Sequence, residues 1–317
     1  MIDVLRARRR IAPHVRRTPL VRSAWLSELA GADVRLKLES LQVANSFKSR
    51  GAFNAVIARL ERGGDRPRQL VTASAGNHGR GLAAAAETFG LALVVFTPAG
   101  APAAKLDAIR RHGADLRADG RDYDEAERMA KAFARDTDAE FNSPYSDPDV
   151  IDGAATIALE LFEDAPDLDT LVVPIGGGGM ISGVGRTAKA INPDVTVIGV
   201  ELEVSHVFQD SLRAGRLVEI DAGESIADGL GGNADPETIT FELIRRYVDR
   251  IVTVGEDDLA AAIVGLVEKE HLIAEGAGAA ASAAIASGRV DVGGRRVAVI
   301  VSGSNIDRTR LMSVLAM

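Results

Sequence analysis

Short apolar runs, separated by longer helix-like segments, constrain this chain more than any other feature. The runs fall at 69–73, 91–97, 170–175, 195–201, 251–254 and 297–302. A strand that alternates apolar and polar residues can leave one face in water. Several of these runs are apolar on both faces, and such strands must be covered on both, as in a parallel sheet flanked by helices. Helical patterns fill the intervals at 103–112, 123–135, 150–162, 257–270 and 278–286. This repetition of strand, helix and strand specifies an α/β fold with open, mostly parallel sheets.

No long Ser/Gly/Pro linker divides the chain, and no internal repeat is visible. Two seams rich in turn residues, 61–68 and 143–149, bracket a smaller α/β unit. The division expected is a large unit of residues 1–68 and 147–317 with a small unit, 69–146, inserted in it. A cleft between two such lobes is a favoured place for a ligand.

The formal net charge of −8 argues against a nucleic-acid surface. Arg6, Arg8, Arg9, Arg10, Arg16 and Arg17 concentrate at the start, where they read as a solvated helix face. The absence of cysteine excludes disulfides, thiolate metal sites and cysteine nucleophiles. No signal-peptide core follows the basic start, and no apolar stretch approaches the ~18–20 residues of a membrane span. A soluble cytoplasmic protein is expected, without membrane or nucleic-acid partners.

Four polar clusters interrupt the apolar pattern. Lys48 stands in Asn45-Ser46-Phe47-Lys48-Ser49-Arg50-Gly51-Ala52, between a strand-like run at 34–39 and a helix-like run at 52–60. Ser74-Ala75-Gly76-Asn77-His78-Gly79 lies between another strand and helix. Its N–H groups and the Ser74 hydroxyl suit a carboxylate, and Asn77 offers an amide donor to a phenolate oxygen. His78 is either a general base or a structural residue at a helix start. Gly176-Gly177-Gly178-Gly179 joins a buried strand to a helix that begins at Met180. Glycines there turn backbone N–H groups towards an anion at the positive end of a helix, and phosphate is the natural guest. A dinucleotide site is less well matched, because the segment has no G-x-G-x-x-G. Ser302-Gly303-Ser304-Asn305 ends the last apolar run. Ser302 either caps a helix beginning near Ile306 or offers its hydroxyl to a ring nitrogen. An amine, a phosphate cradle, an anion loop and a hydroxyl are the parts that hold pyridoxal 5'-phosphate as a Schiff base.

On these motifs, and on Arg17-Thr18-Pro19-Leu20 and Lys37-Leu38-Glu39, the chain resembles the β-family (fold type II) pyridoxal-phosphate enzymes. Within that family it is most similar to the serine/threonine dehydratases (threonine ammonia-lyases) and serine racemases. The resemblance implies a two-lobed fold with the cofactor between the lobes, and a homodimer. It makes Lys48 the Schiff-base lysine and lays Phe47 against one face of the ring. It gives Asn77 to the ring oxygen, Gly176, Gly177, Gly178, Gly179 and Met180 to the phosphate, and Ser302 to the ring nitrogen. Gly229, in Ile226-Ala227-Asp228-Gly229, falls over the other ring face, and Ser74, Ala75, Asn77 and His78 line the substrate. The implied reaction is ammonia-releasing dehydration of a small β-hydroxy amino acid. L-Threonine, giving 2-oxobutanoate, comes first, and L-serine, giving pyruvate, comes second.

The chain departs from the pattern at several places. Ala75 stands where racemases carry a serine, which favours dehydration over racemisation. Ser49 replaces an aliphatic residue and Ser304 a glycine. Glu201 matches the first ligand of a divalent-cation site in relatives, but the acid expected six positions on is Val207. The chain ends soon after Asn305, so a C-terminal regulatory domain of the biosynthetic threonine dehydratases is not expected. Hydroxyaspartate, a hydroxyectoine-derived amino acid, serine racemisation and a cofactor-free interaction protein are the alternatives.

Overall fold

The computed structural model describes residues 1–63 and 69–317. Ile2–Ile11 forms α1, Leu20–Arg22 β1, Ala24–Ala30 α2 and Asp33–Lys37 β2. Two short 3₁₀ turns then lead into α3, Lys48–Glu61. Next come β3 (Gln69–Ala73), α4 (Asn77–Phe89), β4 (Ala92–Pro98) and α5 (Ala103–Arg110). They are followed by β5 (Asp115–Gly120), α6 (Tyr123–Asp136) and β6 (Ala139–Phe141). The chain continues with α7 (Pro148–Asp164), β7 (Thr170–Pro174), α8 (Gly179–Ile191), β8 (Thr196–Leu202) and α9 (Val207–Ala214). It closes with α10 (Thr240–Tyr247), β9 (Arg250–Val254), α11 (Glu256–Glu270), α12 (Gly276–Ala286), β10 (Arg296–Ile300) and α13 (Arg308–Leu315).

The strands form two sheets. Four of them, in the order β5-β4-β3-β6, are all parallel. The other six run β1-β2-β10-β7-β8-β9, parallel except for β1 against β2. This is the α/β architecture expected. Residues 64–68, most of the first seam, lie outside those described.

Both faces of the larger sheet are buried. Val297 and Val299 of β10 pack into one cluster with α11 and α12, while Ala298 and Ile300 pack into another with α7 and α8. The smaller sheet repeats the arrangement. Leu70 lies in a cluster with residues of α3 and α4, and Val71 lies in one with residues of α6. Each fully buried aliphatic side chain contributes about 1.5–3 kcal/mol, so covering both faces favours the layered form.

α3 and α7 cross closely. A Cβ at Gly153 would lie 2.3 Å from the Arg50 carbonyl oxygen, and one at Gly51 2.8 Å from Val150. The approach brings Arg50 to Glu160, so the buried pair depends on glycine in both helices. The basic start is largely solvated, as expected, with Arg6, Arg9, Arg16 and Arg17 exposed. Arg8 and Arg17 pair with Glu163, and Arg10 pairs with Glu61. Among the described residues, no helix is long and apolar enough to cross a membrane.

Candidate active site

β3, β7 and β10 deliver their following loops from their carboxyl ends, where parallel α/β sheets gather ligand-binding groups. Backbone contacts join the loops. Phe47 N donates to Ser302 O at 3.0 Å, Ser304 N donates to Asn45 O at 3.0 Å, and Ser46 bridges Gly303. α4 crosses the start of α3 at Gly81, where a Cβ would sit 3.2 Å from Ser49 N. The Lys48 amine donates to Pro144 O at 2.7 Å and lies 5.2 Å from the Phe47 ring centroid. Beside Pro144, the Tyr145 ring closes on the glycine run, 2.3 Å from the place a Cβ of Gly177 would occupy. Gly229 approaches from the other side, its oxygen 2.9 Å from where a Gly176 Cβ would be. Ser302 Oγ donates to Ala277 O at 3.2 Å, and Ala277 is also the neighbour of Gly229.

The site therefore brings together Phe47, Lys48, Ser302, Gly229 and the run from Gly176 to Gly179, with Ser74 to His78 at the start of α4. Burial lowers the Lys48 amine from its ordinary 10.5 to about 8. A large part of it is neutral, and so nucleophilic, at slightly alkaline pH. His78 is held far lower, near 3, first by burial and then by the charge of Lys48. Its ring is 2% exposed and neither nitrogen makes a hydrogen bond of good geometry, so a neutral imidazole occupies this position. Ser74 is turned inwards, its hydroxyl accepting from Gly76 N at 3.2 Å, while Ala75 and Asn77 are half-buried.

The glycine run fits a phosphate. Gly178 caps α8 with φ +85°, and α8 has neither a side-chain cap nor an acidic residue in its first turn. Its first N–H groups are thus left for an outside acceptor. Met180 contributes a buried side chain to the core behind the turn. A Cβ at Gly178 would meet Ile244 at 2.7 Å, and Thr240, which holds Gly177 O through its hydroxyl at 2.9 Å, at 3.0 Å. Left-handed backbone costs a residue with a side chain about 1–2 kcal/mol, before any clash. Gly178→Ala is expected to weaken pyridoxal-phosphate binding about tenfold, read by titrating the apoprotein. Unchanged affinity would mean that the run serves packing alone.

Several other expectations meet a specific geometry. Ser302 does not cap the last helix, because Asp307 does so by accepting from Arg310 N at 2.8 Å. Ser49 and Ser304, the two departures, donate to Val43 O at 2.5 Å and Ser40 O at 2.9 Å. Both brace the turn before Lys48. Glu201 accepts from Phe208 N at 2.9 Å and Gln209 N at 2.8 Å, and so caps α9. Burial pushes its carboxyl up to about 7, the two N–H groups opposing. Val207 is buried at the first position of α9, and no group of three metal-ligating side chains occurs among the described residues.

Sequence reasoning missed Pro144, Tyr145, Ala277, Glu275 and Thr240. Pro144 and Tyr145 sit in a stretch that reads as a linker. Glu275 and Ala277 sit just before the helical pattern at 278–286, although Gly276 and Gly278 were a signal of close approach.

A family model for "Pyridoxal-phosphate dependent enzyme" matches residues 11–303. The chain is 43% identical to an L-threonine ammonia-lyase of Thermotoga maritima over 305 residues, covering 96% of this chain and 75% of that protein. Among solved structures, maize serine racemase superposes with a TM-score of 0.91 at 31% identity, covering 99% of this chain and 96% of that one. The T.th. threonine deaminase structure superposes with a TM-score of 0.87 at 34% identity, covering 97% of this chain and 98% of that one. With the family match running over most of its length, from before Lys48 to Gly303, the chain belongs to the pyridoxal-phosphate dependent enzyme family.

Proposed function

We propose that this chain is a threonine ammonia-lyase: it dehydrates L-threonine, and L-serine second, and releases ammonia and a 2-oxo acid. The observation that carries the reading is the half-buried Lys48 side chain, its amine held by one carbonyl beside a glycine cradle and an uncapped helix start. Support comes also from a relative named as a threonine ammonia-lyase at 43% identity. Bound pyridoxal phosphate supplies an electron sink for the pair left at the substrate Cα. Lys48 anchors it and, once displaced by the substrate amine, takes the proton from Cα. The N–H groups of 176–180 hold the phosphate, Phe47 and Gly229 bound the ring, and Asn77 donates to the ring oxygen. Ser302 meets the ring nitrogen with a neutral hydroxyl, which does not hold that nitrogen protonated as a carboxylate would. The sink is therefore a mild one, suited to loss of a group at Cβ. Ser74, Ala75 and the N–H groups at the start of α4 receive the substrate carboxylate beside the buried His78.

The same reading divides the chain into a large lobe, 1–68 with 147–317, and a small one, 69–146, with the site between them. It makes the protein a cytoplasmic homodimer.

Ala75 separates this reaction from racemisation, which needs an acid–base group on each side of the planar carbon. Lys48 serves one side, and a methyl group at position 75 offers nothing to the other. The purified protein is expected to form 2-oxo acid from L-threonine and L-serine with little D-isomer, scored by ammonia release and chiral chromatography. Ala75→Ser should raise D-serine formation detectably. D-Serine appearing faster than pyruvate with the unmodified protein would replace this reading with the racemase one.

Ser302→Ala should slow turnover while the cofactor stays bound, because one hydrogen bond is worth about 0.5–1.5 kcal/mol and the other anchors remain. Unaltered turnover would leave Ser302 as a partner of Ala277 only.

A further inference from the structure

Four side chains around Asn77 form a hydrogen-bond chain whose direction is set at both ends. Arg80 donates to Asn305 Oδ1, Asn305 Nδ2 donates to Asn77 Oδ1 at 2.5 Å, and Asn77 Nδ2 donates to Glu275 Oε1 at 2.5 Å. An isolated amide can turn over and exchange its donor and acceptor ends. Here a guanidinium, which only donates, holds one end. A carboxylate, which only accepts when ionised, holds the other. Both amides between them are therefore fixed in orientation, and one hydrogen on Asn77 Nδ2 is left over.

The backbone is shaped around this chain. Glu275 N donates to Gly303 O at 3.1 Å. A Cβ at Gly303 would lie 2.2 Å from Glu275 Oε1 and 3.2 Å from Asn77 Nδ2, so the pair requires glycine there. This accounts for the glycine of Ser302-Gly303-Ser304-Asn305, which the cofactor reading leaves unused. Glu275 is 8% exposed and its only hydrogen-bonded side chain is Asn77 among the described residues. No other part of the proposed reaction calls for a buried carboxyl at this place.

We propose that Glu275 is a positioning residue acting through Asn77, fixing the amide so that its remaining N–H is held for the ring oxygen of the cofactor. The inference rests on the reading of Asn77 as the partner of that oxygen. Burial raises the Glu275 carboxyl to about 7, and the Asn77 hydrogen bond opposes the rise. Asp228 adds to the rise from the loop before Gly229, while Lys105 of α5 and Arg80 of α4 oppose it. Protonation below that pH gives the carboxyl a donor of its own and releases the direction of the chain.

The test titrates apoprotein with pyridoxal phosphate and records the visible spectrum for the unmodified protein, Asn77→Ala, Glu275→Gln and the double variant. Glu275→Gln keeps size and shape but can present either end to Asn77. It should lower cofactor affinity about three- to tenfold, the range of one hydrogen bond, and shift the visible band. The double variant should be no weaker than Asn77→Ala alone, because Glu275 then has nothing to act through. Below about pH 7 the affinity of the unmodified protein should fall further than protonation of Lys48 alone produces, and this additional fall should be absent from Glu275→Gln. Losses that add in the double variant, or a pH profile of Glu275→Gln identical to that of the unmodified protein, would overturn the inference and leave Glu275 as structural. Asn77→Ala without effect on affinity or spectrum would remove the role of Asn77 and this inference with it. Protein that takes up no pyridoxal phosphate at all would instead strike the proposed function.

Discussion

Lys48→Ala is expected to abolish ammonia release from L-threonine and the borohydride-sensitive visible absorbance of the purified protein, with the fold intact. Positioned proton transfer alone contributes about 10²–10⁴-fold, and Lys48 serves both as base and as covalent anchor. No second amine replaces it: Lys37 is committed to Glu160, and Lys105 to Asp228. The fold should survive because, among the described residues, Lys48 makes one side-chain hydrogen bond, to Pro144 O. The amine also carries a burial penalty that its loss removes. The lowered value, about 8, sets the pH dependence of cofactor capture. The neutral amine attacks, so capture by apoprotein should accelerate as pH rises through about 8 and then level off. Retained activity together with a retained band in Lys48→Ala would remove Lys48 from the chemistry. A capture rate flat from about pH 6 to about pH 10 would remove the burial argument.

The larger sheet was legible because its central strands are apolar on both faces, and nothing but a covered parallel sheet accommodates them. Val297, Ala298, Val299 and Ile300 feed two different cores in turn. β1, β5 and β6 were not legible. β5 reads Asp115-Leu116-Arg117-Ala118-Asp119-Gly120 and lies at the edge of its sheet, where polar side chains reach water. β1 and β6 are edge strands of three residues each. The start of α3 was placed too late, because Lys48-Ser49-Arg50-Gly51 is polar and ends in glycine. In the structure that glycine is the contact with Val150, and the polar side chains face partners from other elements. The same limit applies to the site. Lys48, the glycine run and Ser302 announce themselves by residue type at a strand end. Glu275 and Tyr145 do not, because their meaning lies in contacts such as Asn77 to Glu275, which are 198 residues apart.

Glu160→Ala is expected to destabilise the protein by about 3–5 kcal/mol, the usual result of breaking a buried ion pair by removing one partner. Arg50 is 1% exposed, and Lys37 and Glu39 are fully buried. Arg50 meets Glu39 through two hydrogen bonds of 2.8 Å and Glu160 through bonds of 2.7 and 2.9 Å. Lys37 adds a bond of 2.5 Å to Glu160 and one of 2.7 Å to Thr18 O. Two cations and two carboxylates thus close on one another beneath the start of α3. Removing Glu160 leaves Lys37 with a single carbonyl and Arg50 with one carboxylate, both without access to water. The effect should reach the site, because Arg50 stands two residues after Lys48 on the same helical turn. Cofactor affinity is therefore expected to fall along with stability, while Glu163→Ala, at the exposed neighbouring pair with Arg8 and Arg17, should cost under about 1 kcal/mol. The pH signature is specific. Burial alone would raise Glu160, but Arg50 and Lys37 overcome it and hold the carboxyl below its ordinary 4.5. A carboxyl depressed in the folded state contributes stability above its ordinary value and loses it as pH falls through the folded one. The unmodified protein should lose this contribution below about pH 4.5, and Glu160→Ala should lack that part of the loss. Denaturant unfolding of both proteins at about pH 7 and about pH 4 measures all of this. A Glu160→Ala variant within about 1 kcal/mol of the unmodified protein at neutral pH would show that water reaches the cluster and that Lys48 is placed by packing alone.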